Sequence, residues 1–253
     1  AHFHSMLISG ALFGYFAGYS YWFPKATGFT LNEKWGKRAF WSWLIGFYLA
    51  FIPLYVLGFM GMPRRMAHYD ILAWQPYLII AAGGLAVILI GVLCQMIQLV
   101  VSIKERHIAR DLTGDPWDGR TLEWAMASPP AIYNFAATPE VHGIDAFADM
   151  KEKGIAYVKP DRYQDIHMPK NTAAGFVNGV LSFIFGFAMV WYIWWLAGIS
   201  ALGMLVTVII RSTDDNTDFV VPAAEVERIE NLRYRELANA VAMPRLTGDQ
   251  AMP

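Results

Sequence analysis

Two histidines at the start of the chain are the side chains best suited to hold a cofactor. They are His2 and His4, in the stretch "AHFHSM" that leads into an uncharged apolar run. A helix turns about 100° per residue, so positions two apart point about 200° apart. We therefore expect the two rings to leave opposite sides of one helix. Each ring can then reach a separate planar cofactor, with Phe3 between them, and haem iron commonly takes an axial histidine.

The same two residues also fit a simpler interpretation. Two histidines at the head of an apolar helix can be polar residues at the membrane surface, or a cloning remnant. Spacing alone favours this interpretation, whereas ionisable groups in membrane spans are more often functional than elsewhere. Both interpretations stay open at the level of spacing.

A pair of arginines is the second candidate for binding. Arg64 and Arg65 occur in "GFMGMPRRMAHYD", at the end of an apolar run. Guanidinium groups bind carboxylates through two parallel hydrogen bonds, and a haem carries two propionates. The second span runs in the opposite direction to the first, so this pair is expected at the membrane level of His2 and His4. The alternative is that both are ordinary anchors whose charged ends reach the membrane surface.

The composition indicates a membrane protein. Hydrophobic residues make up 56% of the 253 residues and charged residues only 16%, against about 25% charged in a typical soluble domain. The formal net charge of -1 gives no reason to expect nucleic-acid binding. The predicted fold is an all-α, polytopic membrane helix bundle.

Four uncharged segments predict five transmembrane helices. The first, 3–23, spans roughly 30 Å as a helix, which matches a bilayer core. The segment 173–210 is too long for one span, and we expect Gly198 with Ser200 to turn it into a hairpin. A surface helix is predicted over 223–242. The uncharged segments are 3–23, 39–62, 77–103 and 173–210.

The distribution of positive charge predicts the orientation. With five spans, 18 of the 20 Lys and Arg residues fall on one side of the membrane, and only Arg64 and Arg65 on the other. Cytoplasmic loops carry the excess of Lys and Arg. The loop 104–172 and the tail 211–253 are therefore expected in the cytoplasm.

Four stretches follow one another along the chain: "AHFHSM", "YWFPKATGFTLNEKWGK", "YVLGFMGMPRR" and "DPWDGRTLEW". In this order they resemble subunit I of the haem–copper terminal oxidases, and the resemblance covers almost the whole chain. Two further stretches, "SPPAIYNFAATPEVHG" and "IHMPKNTAAG", follow later in the chain. Together with the two spans predicted after the third, they resemble the cytochrome bo-type ubiquinol oxidases of bacteria.

The resemblance implies roles for the candidate residues. His2 matches the axial ligand of the high-spin haem, of o or a related type, and His4 matches an axial ligand of the low-spin haem b. Phe3 would lie between the haems, and Arg64 with Arg65 would contact haem propionates. The implied copper ligands do not lie in this chain, which resembles only the C-terminal part of subunit I.

The resemblance also implies how the chain is divided. Residues 1–103 would form the last three core transmembrane helices, with the haem ligands and the propionate arginines. Residues 104–172 would form a cytoplasmic loop, 173–210 an additional transmembrane hairpin, and 211–253 a cytoplasmic tail.

The implied activity is that of a proton-pumping, multi-pass ubiquinol oxidase of the bacterial inner membrane, which reduces O2 to water. The implied partners are the remainder of subunit I, oxidase subunits II, III and IV, ubiquinol, O2 and the lipid bilayer. Two alternatives stay open. One is an oxidase of the same family that takes electrons from cytochrome c, and the other is a non-catalytic membrane scaffold.

Overall fold

The fold is built almost entirely from helices. A computed structural model describes residues 1–242, so residues 243–253 of the predicted tail lie outside the described part. The helices are α1 (His2–Met6), α2 (Phe13–Thr27), α3 (Glu33–Phe59), α4 (Gln75–Glu105), α5 (Ala146–Glu152), α6 (Ala174–Val190), α7 (Trp194–Ser212) and α8 (Ala223–Ala242). The strands are β1 (Ile166–Pro169) and β2 (Asp218–Val221), which pair antiparallel.

The described residues contain three helices long and apolar enough to cross a membrane. They are α3, α4 with its preceding 3-10 turn, and α7, which confirms apolar helices at three of the predicted spans. Helix α6 is apolar but has only 17 residues. The first predicted span is helical, although a π-helical segment, Leu7–Leu12, separates α1 from α2. The structure thus agrees with a membrane helical bundle, and the number of five spans stays a prediction.

The predicted position of the hairpin turn is wrong. Gly198 and Ser200 lie inside α7, and the chain reverses over Trp191–Ile193. Tyr192 adopts a left-handed conformation with φ 58°, and the N–H of Ile193 donates to the carbonyl of Ala188 at 2.8 Å. The left-handed residue and this hydrogen bond form a helix C-cap in which glycine is the usual left-handed residue. The hydroxyl of Ser200 is satisfied within the helix, since it donates to the carbonyl of Leu196 at 2.8 Å.

Small residues bring α3 and α4 into close contact. A Cβ atom on Gly46 would lie 2.8 Å from the backbone nitrogen of Ile88, and one on Gly84 would lie far inside contact distance of the Ala50 backbone. Glycine at these positions lets two helix backbones approach each other, as in membrane helix pairs. The pair α3–α4 is therefore closely packed, and its α3 member contacts the first helix.

The described chain divides into two compact units. One contains Ala1–Lys159 together with the part of α8 from Leu232 onward, and the other contains residues 160–231. The first unit holds α1 to α5, and the second holds the strand pair and the hairpin of α6 and α7. Helix α8 has the bounds predicted from the sequence.

A buried lysine fixes the end of α2 to the following loop. The Lys25 ammonium donates to the carbonyls of Gly114 at 2.7 Å, Met126 at 2.8 Å and Ala127 at 3.3 Å. These carbonyls take all three ammonium N–H groups. Nearby, the indole N–H of Trp124 donates to the Tyr21 hydroxyl at 2.9 Å. The loop therefore holds the far end of the helix that begins with the two histidines.

We predict that the folded state of this region becomes more stable, relative to the unfolded chain, as the pH rises. Burial lowers the pKa of Lys25 from 10.5 to about 8, although the Asp111 carboxylate opposes the shift. Between these two values the unfolded chain binds more protons than the folded chain, so stability increases with pH in that window. Hydrogen exchange of residues 111–127, corrected for the intrinsic rate, should therefore show rising protection from pH 8 toward pH 10.5.

Two lysine variants test the origin of this pH dependence. Lys25→Met should abolish the rise in protection, because no titrating group is left at the site. Lys34→Met should retain it, because Lys34 is exposed on the first turn of α3. A pH profile that is the same in all three proteins would contradict the assignment to Lys25.

Candidate functional site

The two histidine rings lie on the first turn of α1, and both contact α3. The Nδ1 atom of His2 lies 3.3 Å from the hydroxyl oxygen of Tyr55. The ring of His4 stacks on Phe51, with ring centroids 5.9 Å apart and ring planes 13° apart. Because Phe51 and Tyr55 are four residues apart, they lie on one face of α3. A single helix face thus provides each imidazole with its own neighbour.

The surroundings of the histidines suit a large flat apolar group. Both imidazoles are exposed, and Phe3 between them is 68% exposed. Its ring meets the His4 ring edge-on at 5.5 Å. The π-helical segment follows directly after this turn, and such segments occur frequently at functional sites. That the rings of His2 and His4 leave opposite sides of the helix stays a prediction.

The nitrogen atoms of His2 can be accounted for individually. Among residues 1–242, the contact with Tyr55 is the only hydrogen bond of this ring. The Nε2 atom is therefore available to a ligand, and neutral imidazole nitrogen is the form that binds metal. The donor chemistry of His2 thus fits an axial ligand of a haem.

The arginine pair follows the end of α3 that carries Tyr55. Helix α3 ends at Phe59, and Gly61 adopts φ 86° while the N–H of Met62 donates to the carbonyl of Leu57. Arg65 itself adopts φ 64°, which is uncommon for a residue with a side chain. Both arginines are exposed, and neither has a carboxylate partner within residues 1–242. Two guanidinium groups without a carboxylate partner in the described residues, close to the end of α3, suit an anionic ligand.

Comparison with known proteins identifies the family. Residues 1–87 match the family model described as "Cytochrome C and Quinol oxidase polypeptide I". The chain is 53% identical over 243 residues to "Ubiquinol oxidase subunit 1" of Acetobacter aceti, which covers 94% of this chain and 36% of that protein. It is 49% identical over 247 residues to "Probable cytochrome c oxidase subunit 1" of Bradyrhizobium diazoefficiens, covering 96% of this chain and 37% of that protein.

A third relative carries a more specific name. "Cytochrome bo(3) ubiquinol oxidase subunit 1" of Buchnera aphidicola subsp. Schizaphis graminum is 50% identical over 240 residues, 95% of this chain and 36% of the relative. The chain belongs to the cytochrome c and quinol oxidase polypeptide I family. It spans a little over a third of the length of these relatives.

Family membership implies haem and copper as cofactors in general, and a membrane location. Within residues 1–242, no three His, Cys, Asp or Glu side chains lie together as a metal site. Copper binding needs several such donors, and the described part of the chain offers no such cluster. A haem iron takes its axial histidine singly, so the predictions for His2 and His4 do not depend on such a cluster.

One cavity in the same unit lies away from the histidines. It has a volume of about 390 Å³ and lies near the beginning of α3, between Glu33 and Leu44. Phe16, Trp43 and Gln98 are among its lining residues. The histidines contact α3 at Phe51 and Tyr55 instead, so this cavity is separate from the oxidase family's predicted haem ligands.

Sequence analysis missed the two residues of α3 that contact the histidines. Tyr55 is the first residue of the stretch "YVLGFMGMPRR", and Phe51 lies four residues before it, but neither residue was assigned a role. The available signal was their four-residue spacing on an apolar span, since this spacing places two aromatic side chains on one face. That spacing does not reveal which helix the face meets, so the contact required the structure.

Proposed function

We propose that this chain is part of the catalytic subunit of a proton-pumping respiratory terminal oxidase, which oxidises ubiquinol and reduces O2 to water. The observation that carries the proposal is the identity of about half of all residues, over almost the whole chain, to proteins named ubiquinol oxidase subunit 1. The exposed imidazoles of α1 supply residues that can bind the cofactors of such an enzyme.

The proposal assigns His2 to the iron of the high-spin haem, of o or a related type, and His4 to the iron of the low-spin haem b. Haem supplies one-electron chemistry and O2 chemistry when bound. Phe3 would lie between the two haems. One helical turn carries all three side chains, so their relative positions are fixed by the backbone of α1.

Arg64 and Arg65 would hold the haem propionates. A guanidinium group binds a carboxylate with two hydrogen bonds, and it keeps its charge at any physiological pH. The pair has no carboxylate partner among residues 1–242, which leaves its charge available to a ligand. The strained φ of Arg65 also supports a functional role, because such backbone conformations cluster at ligand sites.

The proposed topology has five transmembrane helices, with the loop 104–172 and the tail 211–253 in the cytoplasm of a bacterium. The first span is the uncharged segment 3–23, which is helical throughout, and the last two spans lie within 173–210. Support comes from the distribution of Lys and Arg, of which 18 of 20 fall on the proposed cytoplasmic side. Residues 1–103 would carry the haem ligands, and 173–210 would form the additional hairpin.

The complete enzyme would need groups from other chain segments. The copper ligands and the second ligand of the low-spin haem belong to the remainder of subunit I. Subunits II, III and IV are the proposed protein partners.

A second candidate function is an oxidase of the same family that takes electrons from cytochrome c. One relative at 49% identity is named "Probable cytochrome c oxidase subunit 1", so sequence similarity alone does not separate the two donors. Oxygen consumption by the purified intact complex distinguishes them. The ubiquinol oxidase proposal predicts turnover with ubiquinol and none with reduced cytochrome c, and the reverse pattern would overturn it.

A further inference from the structure

The hydroxyl group of Tyr55 has a single hydrogen-bonding partner among residues 1–242. That partner is the Nδ1 atom of His2, at 3.3 Å. Tyr55 lies in the interior of α3 and is half-buried. A hydroxyl group without a partner in an apolar environment costs free energy. The contact with His2 therefore satisfies a polar group that the apolar span would otherwise leave unpaired.

The direction of this hydrogen bond determines which nitrogen of His2 can bind metal. Neutral imidazole carries one N–H group and one lone pair. If the Nδ1–H group donates to the Tyr55 oxygen, the lone pair is on Nε2. If Tyr55 donated to Nδ1, the proton would be on Nε2 and that nitrogen could not coordinate iron. Only the first arrangement agrees with His2 as an axial ligand through Nε2.

We infer that Tyr55 is a positioning residue, whose hydroxyl oxygen accepts the Nδ1–H of His2 and thereby presents Nε2 to the haem iron. This inference rests on the proposed function. Histidine ligands commonly donate their second N–H to a fixed acceptor, which sets the tautomer, the ring orientation and the basicity of the ligand. Tyr55 supplies such an acceptor from a different helix.

Within the described residues, the ring of His4 has no hydrogen-bonding partner. Its ring stacks on Phe51, one turn before Tyr55 on the same face of α3, and Phe51 offers no acceptor atom. Stacking restricts the plane of the His4 ring without selecting a tautomer. The two imidazoles therefore have different neighbours on α3. Only His2 should become a more basic ligand, because only its neighbour can accept a hydrogen bond.

The variant Tyr55→Phe in the complete oxidase tests this inference. Resonance Raman spectra of the reduced enzyme report the iron–histidine stretching mode of the high-spin haem. Loss of the acceptor should lower the frequency of this mode. Dissociation of the high-spin haem, followed by transfer to apomyoglobin, should become about 10-fold faster, at the lower end of the effect of removing an outer-shell partner. The low-spin haem, assigned to His4, should be retained.

The matched control is Tyr48→Phe, which removes an exposed hydroxyl group from the same helix. In this variant the iron–histidine stretching frequency and the dissociation rate of the high-spin haem should equal those of the enzyme without substitutions. An unaltered frequency in Tyr55→Phe would overturn the role of Tyr55 while leaving the proposed function intact. If the enzyme without substitutions showed no iron–histidine mode, the proposed function would be overturned, and the inference with it.

Discussion

Replacing His4 with alanine in the complete oxidase is expected to remove the low-spin haem and leave the high-spin haem in place. The pyridine haemochrome spectrum should then show loss of haem b only. Turnover with ubiquinol should fall by more than about 100-fold, beyond the effect expected from loss of an outer-shell partner. The physical reason is that alanine offers no donor atom, while the Phe51 ring that stacks on His4 cannot replace one.

His2→Ala provides the complementary result. It should remove the high-spin haem and retain haem b, because the two imidazoles are assigned to different irons. His107→Ala is the control, since His107 is exposed and lies outside the predicted spans. Loss of the same haem in both His2→Ala and His4→Ala would contradict the assignment, as would full haem content in either variant.

Replacing Gly84 with alanine should separate α3 from α4. The added Cβ would collide with the backbone of Ala50, and backbone atoms cannot move aside as a flexible side chain can. Overpacking of this kind costs about 1–3 kcal/mol. We expect a lower thermal midpoint for the purified complex, accompanied by partial loss of both haems, since α3 contacts both histidines.

Gly83→Ala is the matched control for the packing effect. No atom lies within 4 Å of a Cβ placed on Gly83. Alanine is favoured over glycine inside a helix by roughly 0.5–1 kcal/mol. The control should therefore match or slightly exceed the unchanged complex in thermal stability. Equal destabilisation by both substitutions would show that the close approach of α3 and α4 is not the cause.

The apolar runs predicted the helices better than they predicted the turn between α6 and α7. Uncharged length and hydropathy locate a span, because a bilayer core requires about 20 apolar residues. The hairpin turn was wrong because Gly198 and Ser200 are strong turn formers in water but remain helical within an apolar segment. Tyr192, an unusual residue for a left-handed cap, carries the turn instead.

The candidate site was predictable where it depends on residue type and unpredictable where it depends on distant contacts. His2, His4, Arg64 and Arg65 stand out because charged or ligating side chains are rare in apolar segments. Tyr55 contacts a residue 53 positions away. The carbonyl partners of Lys25 lie 89 to 102 positions along the chain. No local pattern carries such information.

The attachment of Lys25 restricts the length of the helical segment that begins at His2. This segment is held at one end by the side chains of α3 and at the other by the carbonyls of the loop. Adding or deleting one residue between the ends would rotate one attachment by about 100° relative to the other. The number of residues between His2 and Lys25 is therefore fixed by its two attachments. Substitutions in this segment should be tolerated more readily than insertions or deletions.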